Sequence, residues 1–255
     1  MLNKRLIGVV TVKNGWAVQS FGYRRYLPLG KPEVLVHNLD RWGADEILLQ
    51  CTDRSHPSVG PDFELLRKVS DLGISTPLIY SGGIRGREDA LKVVSFGADR
   101  VMIDALLKDA PAEVEAVARV LGVQAVIANL PTKNTAEGML LLDYRSGHEM
   151  PLTEAVKLFP LDWISEVMLT DWCHEGHSEA FSMSLPAASD LLKKPLICFG
   201  GISTSHQIRA LLANDSVVAT GVGNSLNYKE HAIQALKKDL FGVAIRPPYY
   251  ESSTL

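Results

Sequence analysis

The 255-residue chain is 46% apolar and 22% charged, ample for one large core and at most two domains. Its formal charge of −3 and pI near 6.2, with basic residues scattered and not massed, argue against nucleic acid or an acidic membrane surface as the main partner. Three widely spaced cysteines, Cys51, Cys173 and Cys198, leave reduced thiols as the default, and no apolar run suits a signal peptide or a membrane span, so a cytoplasmic protein is expected.

Apolar strand-like runs alternate with amphipathic helical runs from end to end, the βα pattern of a parallel sheet. The first strand is Leu6 to Val12, followed by a long aromatic and basic loop, NGWAVQSFGYRRYLPLGKP. A helix runs from Pro32 to Trp42, with proline in its first turn and Gly43 as its stop. Strand two is Glu46 to Cys51, with a helix from about Pro61. Strand three is PLIYSGGI, Pro77 to Ile84, backed by the helix GREDALKVVSFG. Strand four is Arg100 to Asp104, and its helix, APAEVEAVARVLG, closes at Gly122.

Strand five is Gln124 to Leu130, and GMLLLDYRSGHEM then reads as a small hairpin turning at Ser146-Gly147. The helix PLTEAVKLF leads to strand six, Ser165 to Thr170, and to the polar loop DWCHEGHSEAFS. Strand seven is PLICFGGI, Pro195 to Ile202, followed by the helix TSHQIRALLAND. Strand eight is Ser216 to Val222, then GNSLN, a last helix KEHAIQALKKDLF, and a loose or partner-docked tail at 246–255.

Eight βα units in about 250 residues have the size and rhythm of a (β/α)8 TIM barrel. PLIYSGGI and PLICFGGI are offset by 118 residues, and Glu46-Ile-Leu-Leu49 returns as Glu166-Val-Met-Leu169. A single α/β domain over 1–255 is therefore expected, built from two similar half-barrels at about 1–122 and 123–245. A doubly wound sheet does not obviously give this twofold repeat.

In such barrels the working face is the set of loops at the strands' C-terminal ends. Gly82 and Gly83, Gly200 and Gly201, and the turn Gly223-Asn224-Ser225 suit phosphate, because small residues let backbone N–H groups approach an anion. Their pairing predicts a ligand with two phosphates about a barrel's width apart, against the blander reading of mere tight turns. Thr11, Lys13, Asp53, Arg54 and Asp104 also end strands. In loop six, Asp171, His174 and Glu175 are acid/base candidates. Cys173, His174 and His177 include metal-ligand types, but no second cluster completes a set, so neither a metal nor a cofactor is expected. Cys51 and Cys198 read as buried small apolar residues.

MLNKRLIGVVTVKNG, GADEILL, the SGGI and FGGI strand ends, FGADRVMI and LGVQAVIA resemble the cyclase subunit of imidazole glycerol phosphate synthase over essentially the whole chain. The resemblance implies a barrel that receives ammonia from a glutaminase partner through its axis and spends it on a bisphosphorylated ribulosyl substrate at the top. It places the ammonia-gating ring on Arg5, Glu46, Arg100 and Glu166, the glutaminase contact on Asp99, and phosphate contacts on the glycine pairs and the GNS turn. A charged ring also simply stabilises a barrel base. The family's two essential aspartates fall on Thr11 and Pro131, neither able to serve as a carboxylate base. Other active-site positions fall on Gln19, Cys51, Asp104 and Glu175. FGYRRYLPLGKP is similar to loop one of a second branch, which works with a glutaminase to convert sugar acetamido groups to acetamidino groups in surface polysaccharides. Three functions follow as expectations: amidination of a phosphorylated or nucleotide-linked sugar, the histidine-pathway reaction with Asp104 or Asp171 as base, and a non-catalytic scaffold.

Overall fold

The computed structural model describes residues 4–54 and 59–248. Among these described residues twelve strands follow one another: β1 (Arg5–Lys13), β2 (Trp16–Phe21), β3 (Arg25–Gly30), β4 (Glu46–Cys51), β5 (Leu78–Ser81), β6 (Arg100–Ile103), β7 (Val126–Thr135), β8 (Gly138–Asp143), β9 (His148–Pro151), β10 (Glu166–Asp171), β11 (Leu196–Phe199) and β12 (Val217–Val222). Eight of them, β1, β4, β5, β6, β7, β10, β11 and β12, pair in parallel, and β10 with β7 completes a closed barrel. Helices between the strands cover the outside, as expected of a (β/α)8 TIM barrel.

Alternation along each strand sets the two faces. Inward positions such as Ile7, Val9, Leu48, Ile79, Met102 and Met168 form one buried cluster inside the barrel. Outward positions such as Leu6, Val10, Ile47, Leu49 and Val101 belong to a second cluster with the helices. The interior is thus a packed core, not an open pore.

The two halves echo one another in detail. In each, a turn after the glycine pair is closed by a side chain four residues on: Arg85 N–H donates to Asp89 Oδ2 at 2.9 Å, and Ser203 N–H to Gln207 Oε1 at 3.0 Å. Each half also begins with a strand that runs on into an antiparallel hairpin, β1 into β2–β3 and β7 into β8–β9.

The second hairpin turns at 144–147, where Ser146-Gly147 is expected to turn it. The first replaces the expected long loop. Gly22 and Tyr23 both have positive φ, 61° and 53°, and Arg24 N–H donates to Phe21 O at 3.2 Å, which makes a β-turn centred on Gly22 and Tyr23 within a three-residue loop, since Phe21 pairs with Arg25. Pro28 in RYLPLG argues against a strand, but among the described residues β3 pairs only with β2, so its edge position tolerates proline. Two smaller departures involve strand ends: strand five starts at Val126, after a 3-10 turn over Val123–Ala125, and runs to Thr135. A short helix, Ala105–Asp109, precedes the expected one, Pro111–Leu121. Of the tail, Arg246 is docked beneath the barrel, its Nε donating to Asp45 Oδ1 at 3.0 Å, and residues 249–255 lie outside the described residues. Among the described residues no helix is long and apolar enough to cross a membrane.

Candidate functional site

A cavity of about 360 Å³ opens at the C-terminal end of the first half-barrel. Met102 of the interior core is its floor, the ends of β4, β5, β6 and β7 form its sides, and the two hairpins form its walls, with Tyr23 on one and Tyr144 and Glu149 on the other. Of the expected site residues, Gly82, Gly83 and Asp104 line it, together with Arg54. Pro131 also lines it, as apolar wall. Arg24, Arg85, Asn129 and Trp172 line it as well.

Asp104 is the carboxylate with the strongest chemical context there. Lys108 Nζ donates to its Oδ1 at 2.7 Å and Asn129 Nδ2 to its Oδ2 at 3.2 Å. Thr170 Oγ1 donates in turn to Asn129 Oδ1 at 2.6 Å, which fixes the amide's orientation. Burial pushes the Asp104 carboxyl above its ordinary value, and the adjacent Lys108 ammonium offsets this only partly. A buried acid whose carboxyl is raised by burial beside a lysine suits proton transfer.

Tyr23 closes the mouth of the barrel. Its ring packs on the interior cluster and its hydroxyl donates to Gln50 Oε1 at 3.1 Å. Burial, with the Glu175 charge nearby, pushes the phenol well above its usual value, so it remains a donor. A non-glycine residue at φ 53° is uncommon and strained, and two partners hold it there. Glu175 Oε2 accepts from Ser20 Oγ at 2.9 Å and from Tyr23 N–H at 3.3 Å, and Glu175 O accepts from Gly22 N–H at 3.0 Å.

Loop six therefore works chiefly as a latch. Glu175 is buried, raised by burial against its hydrogen bonds, and spent on the hairpin. Asp171 is buried too, with Ser182 N–H and His174 Nδ1 each 2.8 Å from its Oδ2. His174 is half exposed. None of the three lines the cavity; from this loop only Trp172 does. Among the described residues no group of three His, Cys, Asp or Glu side chains forms a metal-ligand set. Asp53 is likewise occupied, accepting from Asn14 N–H at 2.7 Å beside the first hairpin. Thr11 is buried in β1 and off the cavity. Cys51 lines the wall, but burial pushes its thiol, and that of Cys198, up to about 12, so neither is a ready nucleophile.

A Glu175→Ala chain is expected to strand the Ser20 hydroxyl and a backbone N–H, at a cost of about 1–3 kcal/mol concentrated in one element. Hydrogen exchange should show β2 and β3 opening while β4 and β5 keep their protection. Unchanged exchange in the hairpin would contradict the latch.

The glycine pairs have a packing reason that their repetition in sequence does not disclose. All four glycines have φ between 72° and 136°. A Cβ on Gly82 would lie 2.6 Å from Cys51 O and one on Gly200 2.5 Å from Asp171 O. A Cβ on Gly83 would meet Gly60 at 2.5 Å, and one on Gly201 would meet Phe181 N at 2.7 Å. Each pair thus lets the preceding βα loop lie across the strand end. Gly200, Gly201, Asn224 and Ser225 do not line the first cavity, and Gly223 lines a separate groove of about 520 Å³ against the helix Pro32–Arg41.

At the opposite end of the barrel the four expected charges form a closed ring. Arg5 Nη1 and Nη2 donate to both carboxylate oxygens of Glu166, at 3.0 and 2.7 Å, and Arg5 Nε lies 3.1 Å from Glu46 Oε2. Arg100 Nη1 bridges Glu166 Oε2 at 3.0 Å and Glu46 Oε1 at 3.3 Å. Burial pushes Glu166 up, but the Arg5 hydrogen bonds and the two guanidinium charges outweigh it and hold the carboxyl below its usual value. At Glu46 burial wins and the carboxyl is raised. Asp99 sits nearby, exposed, with its Oδ2 accepting from Leu78 N–H at 2.8 Å.

Residues 5–232 match the family described as "Histidine biosynthesis protein". The chain is 27% identical over 249 residues to imidazole glycerol phosphate synthase subunit HisF of Alkaliphilus metalliredigens, covering 94% of this chain and 96% of that one. To the protein of the same name from Parabacteroides distasonis it is 26% identical over 249 residues, with the same coverage. To that from Exiguobacterium sibiricum it is 26% identical over 239 residues, covering 89% and 93%.

Proposed function

Because the chain belongs to the histidine biosynthesis protein family, we propose that it is a synthase subunit that takes ammonia from a glutaminase partner and delivers it to a phosphorylated or nucleotide-linked sugar at the top of the barrel. The observation that carries this is Asp104: it is a buried carboxylate with raised affinity for its proton, facing a cavity that also holds Arg54, Arg85 and the first glycine pair. It supplies acid/base chemistry between positions where the family's two aspartates are replaced by Thr11, buried off the cavity, and Pro131, an apolar wall.

The base of the barrel supports the ammonia half of the proposal. Four alternating charges pair with one another around the axis, and above them the interior is apolar. Transit through this packed apolar interior would favour neutral ammonia over ammonium, since an unpaired charge in it would be strongly disfavoured. Asp99, exposed beside the ring, belongs to the face on which a glutaminase would dock.

A second reading has the names of the relatives in its favour: the imidazole glycerol phosphate synthase reaction itself, with Asp104 as base. Complementation separates the two. A strain lacking the cyclase of histidine synthesis, supplied with this chain and its glutaminase, is expected to remain dependent on histidine. Restored growth would establish the second reading instead.

A further inference from the structure

We propose that Lys108 is a positioning residue for Asp104: its ammonium ties the carboxylate to the second hairpin, so that the acid and one wall of its cavity form a single rigid unit. The inference rests on the reading of Asp104 as the acid/base group of the cavity. It adds a residue that does not itself line that cavity and acts through one that does.

The link begins in the short helix that the sequence pattern does not announce. Asp104 follows the end of β6, and the helix Ala105–Asp109 starts at the next residue. One helical turn brings position 108 back beside position 104, where Lys108 Nζ donates to Asp104 Oδ1 at 2.7 Å. The same Nζ approaches Leu142 O in β8 at 3.5 Å and lies 5.7 Å from the centre of the Tyr144 ring. Leu142 and Tyr144 line the cavity with Asp104, so one cation reaches both the acid and the wall from behind. The Lys108 side chain is only 15% exposed, and an ammonium with so little water around it depends on these partners.

The next residue fastens the same two elements independently. Arg145, in the hairpin turn, donates through Nη1 and Nη2 to the two carboxylate oxygens of Asp109, at 2.5 and 2.8 Å. It also donates through Nη2 and Nε to the two oxygens of Asp143, at 2.9 and 3.1 Å. Two-bond contacts of this kind fix direction as well as distance, and the Arg145 bonds hold the Asp109 carboxyl below its usual value. The second hairpin is thus bolted to the helix at two successive residues, 108 and 109. The first hairpin, by contrast, is held by Glu175 and Asn224 of the other half-barrel.

At the acid, Oδ1 is held by Lys108 and Oδ2 by Asn129, which fixes the plane of the carboxylate. The charges that act on it are Lys108 on its own helix and Asp143 and Arg145 on the hairpin, while the Tyr23 phenol faces it from the first hairpin. Of the three charges, Lys108 is the one in contact. A cation in contact favours the ionised carboxylate, so removing it raises the pH at which Asp104 gives up its proton.

Carbon-13 NMR of the folded chain labelled at the aspartate carboxyl carbons tests this, with the Asp104 signal identified by its loss in Asp104→Asn. The Asp104 titration is expected to move up by about one pH unit or more in Lys108→Met, roughly tenfold in proton affinity, and to return most of the way in Lys108→Arg. Amide exchange in β8 and β9 should speed up in the methionine chain and stay slow in the arginine chain, with β2 and β3 unchanged in both. Thermal melts confirm folding, and Lys108→Gln replaces the methionine variant if that chain melts too low to titrate. An unmoved titration, equal shifts in the uncharged and arginine chains, or a shift with no change in β8 and β9 would overturn the proposal. The titration requires no substrate, so such a failure removes Lys108 while leaving Asp104 as the acid/base group. Full turnover by Asp104→Asn removes the reading on which it rests.

Discussion

An Asp104→Asn chain is expected to lose about 10²- to 10⁴-fold in turnover, the usual contribution of one acid/base group, with little change in ligand affinity. Asparagine keeps the shape and accepts from Lys108, whose present bond to Asp104 is 2.7 Å, but it holds no exchangeable charge. The pH profile adds a readout that a packing defect would not reproduce. The Asp104 carboxyl is raised by burial despite Lys108, and a base works only when ionised. Activity should therefore rise with pH through a limb above the ordinary aspartate value of about 4, and that limb should vanish in the variant. Asn129→Ala, which removes the donor 3.2 Å from Asp104 Oδ2, should shift the limb upward, because a hydrogen bond to the ionised form is lost. A variant that keeps its rate and its limb would assign the chemistry elsewhere.

The second large effect concerns the ring. Glu166 receives both guanidinium groups, Arg5 through two bonds and Arg100 through one, so Glu166→Ala leaves two largely buried cations with Glu46 as their remaining carboxylate. Breaking a buried pair costs about 3–5 kcal/mol; with side chains 8–23% exposed, about 2–4 kcal/mol is the fitting range. For a domain of this size each 1 kcal/mol lowers the midpoint by about 2–4 °C, so a drop of roughly 5–15 °C is expected. Stability alone does not distinguish a gate from a brace. The distinguishing result is a loss of glutamine-dependent turnover with ammonia-dependent turnover retained. A variant that melts lower but keeps both would make the ring a brace alone.

Much of the barrel is legible in the sequence because its strands obey simple rules. EILLQC, LIYS and VVATGV are short apolar runs between helices of clear 3.6 periodicity, and the 118-residue repeat announces two halves. The first hairpin is less legible: its turn depends on Tyr23 adopting φ 53°, which no local propensity favours, and its second strand contains Pro28. The hairpin exists because Glu175 and Asn224, some 150 and 200 residues away, supply its partners.

The site divides in the same way. Asp104, Arg54 and Gly82 stand at strand ends, where chemistry is expected, and Asn129 is the inward position two residues before Pro131, open to the same period-two argument. Lys108 lies four residues after Asp104, one helical turn on. Tyr23, Tyr144 and Trp172 come from three separate loops, and only tertiary structure brings them to one cavity. In the other direction, DWCHEGH has the composition of a catalytic loop, yet Asp171 and Glu175 turn away from the cavity to hold backbone. Residue type announces what a side chain can do, and burial decides which of those capacities is used.

On the function proposed, ammonia made by a partner enters through the ring and is used at Asp104. Gentle affinity purification of the chain from its own host, followed by assay of glutamine hydrolysis, tests it most directly. The expected result is a glutaminase held at about one copy per chain, with glutamine hydrolysis that rises when a phosphorylated ligand fills the cavity. A chain that purifies alone, with no glutamine hydrolysis in any fraction that contains it, would contradict a role in using partner-made ammonia.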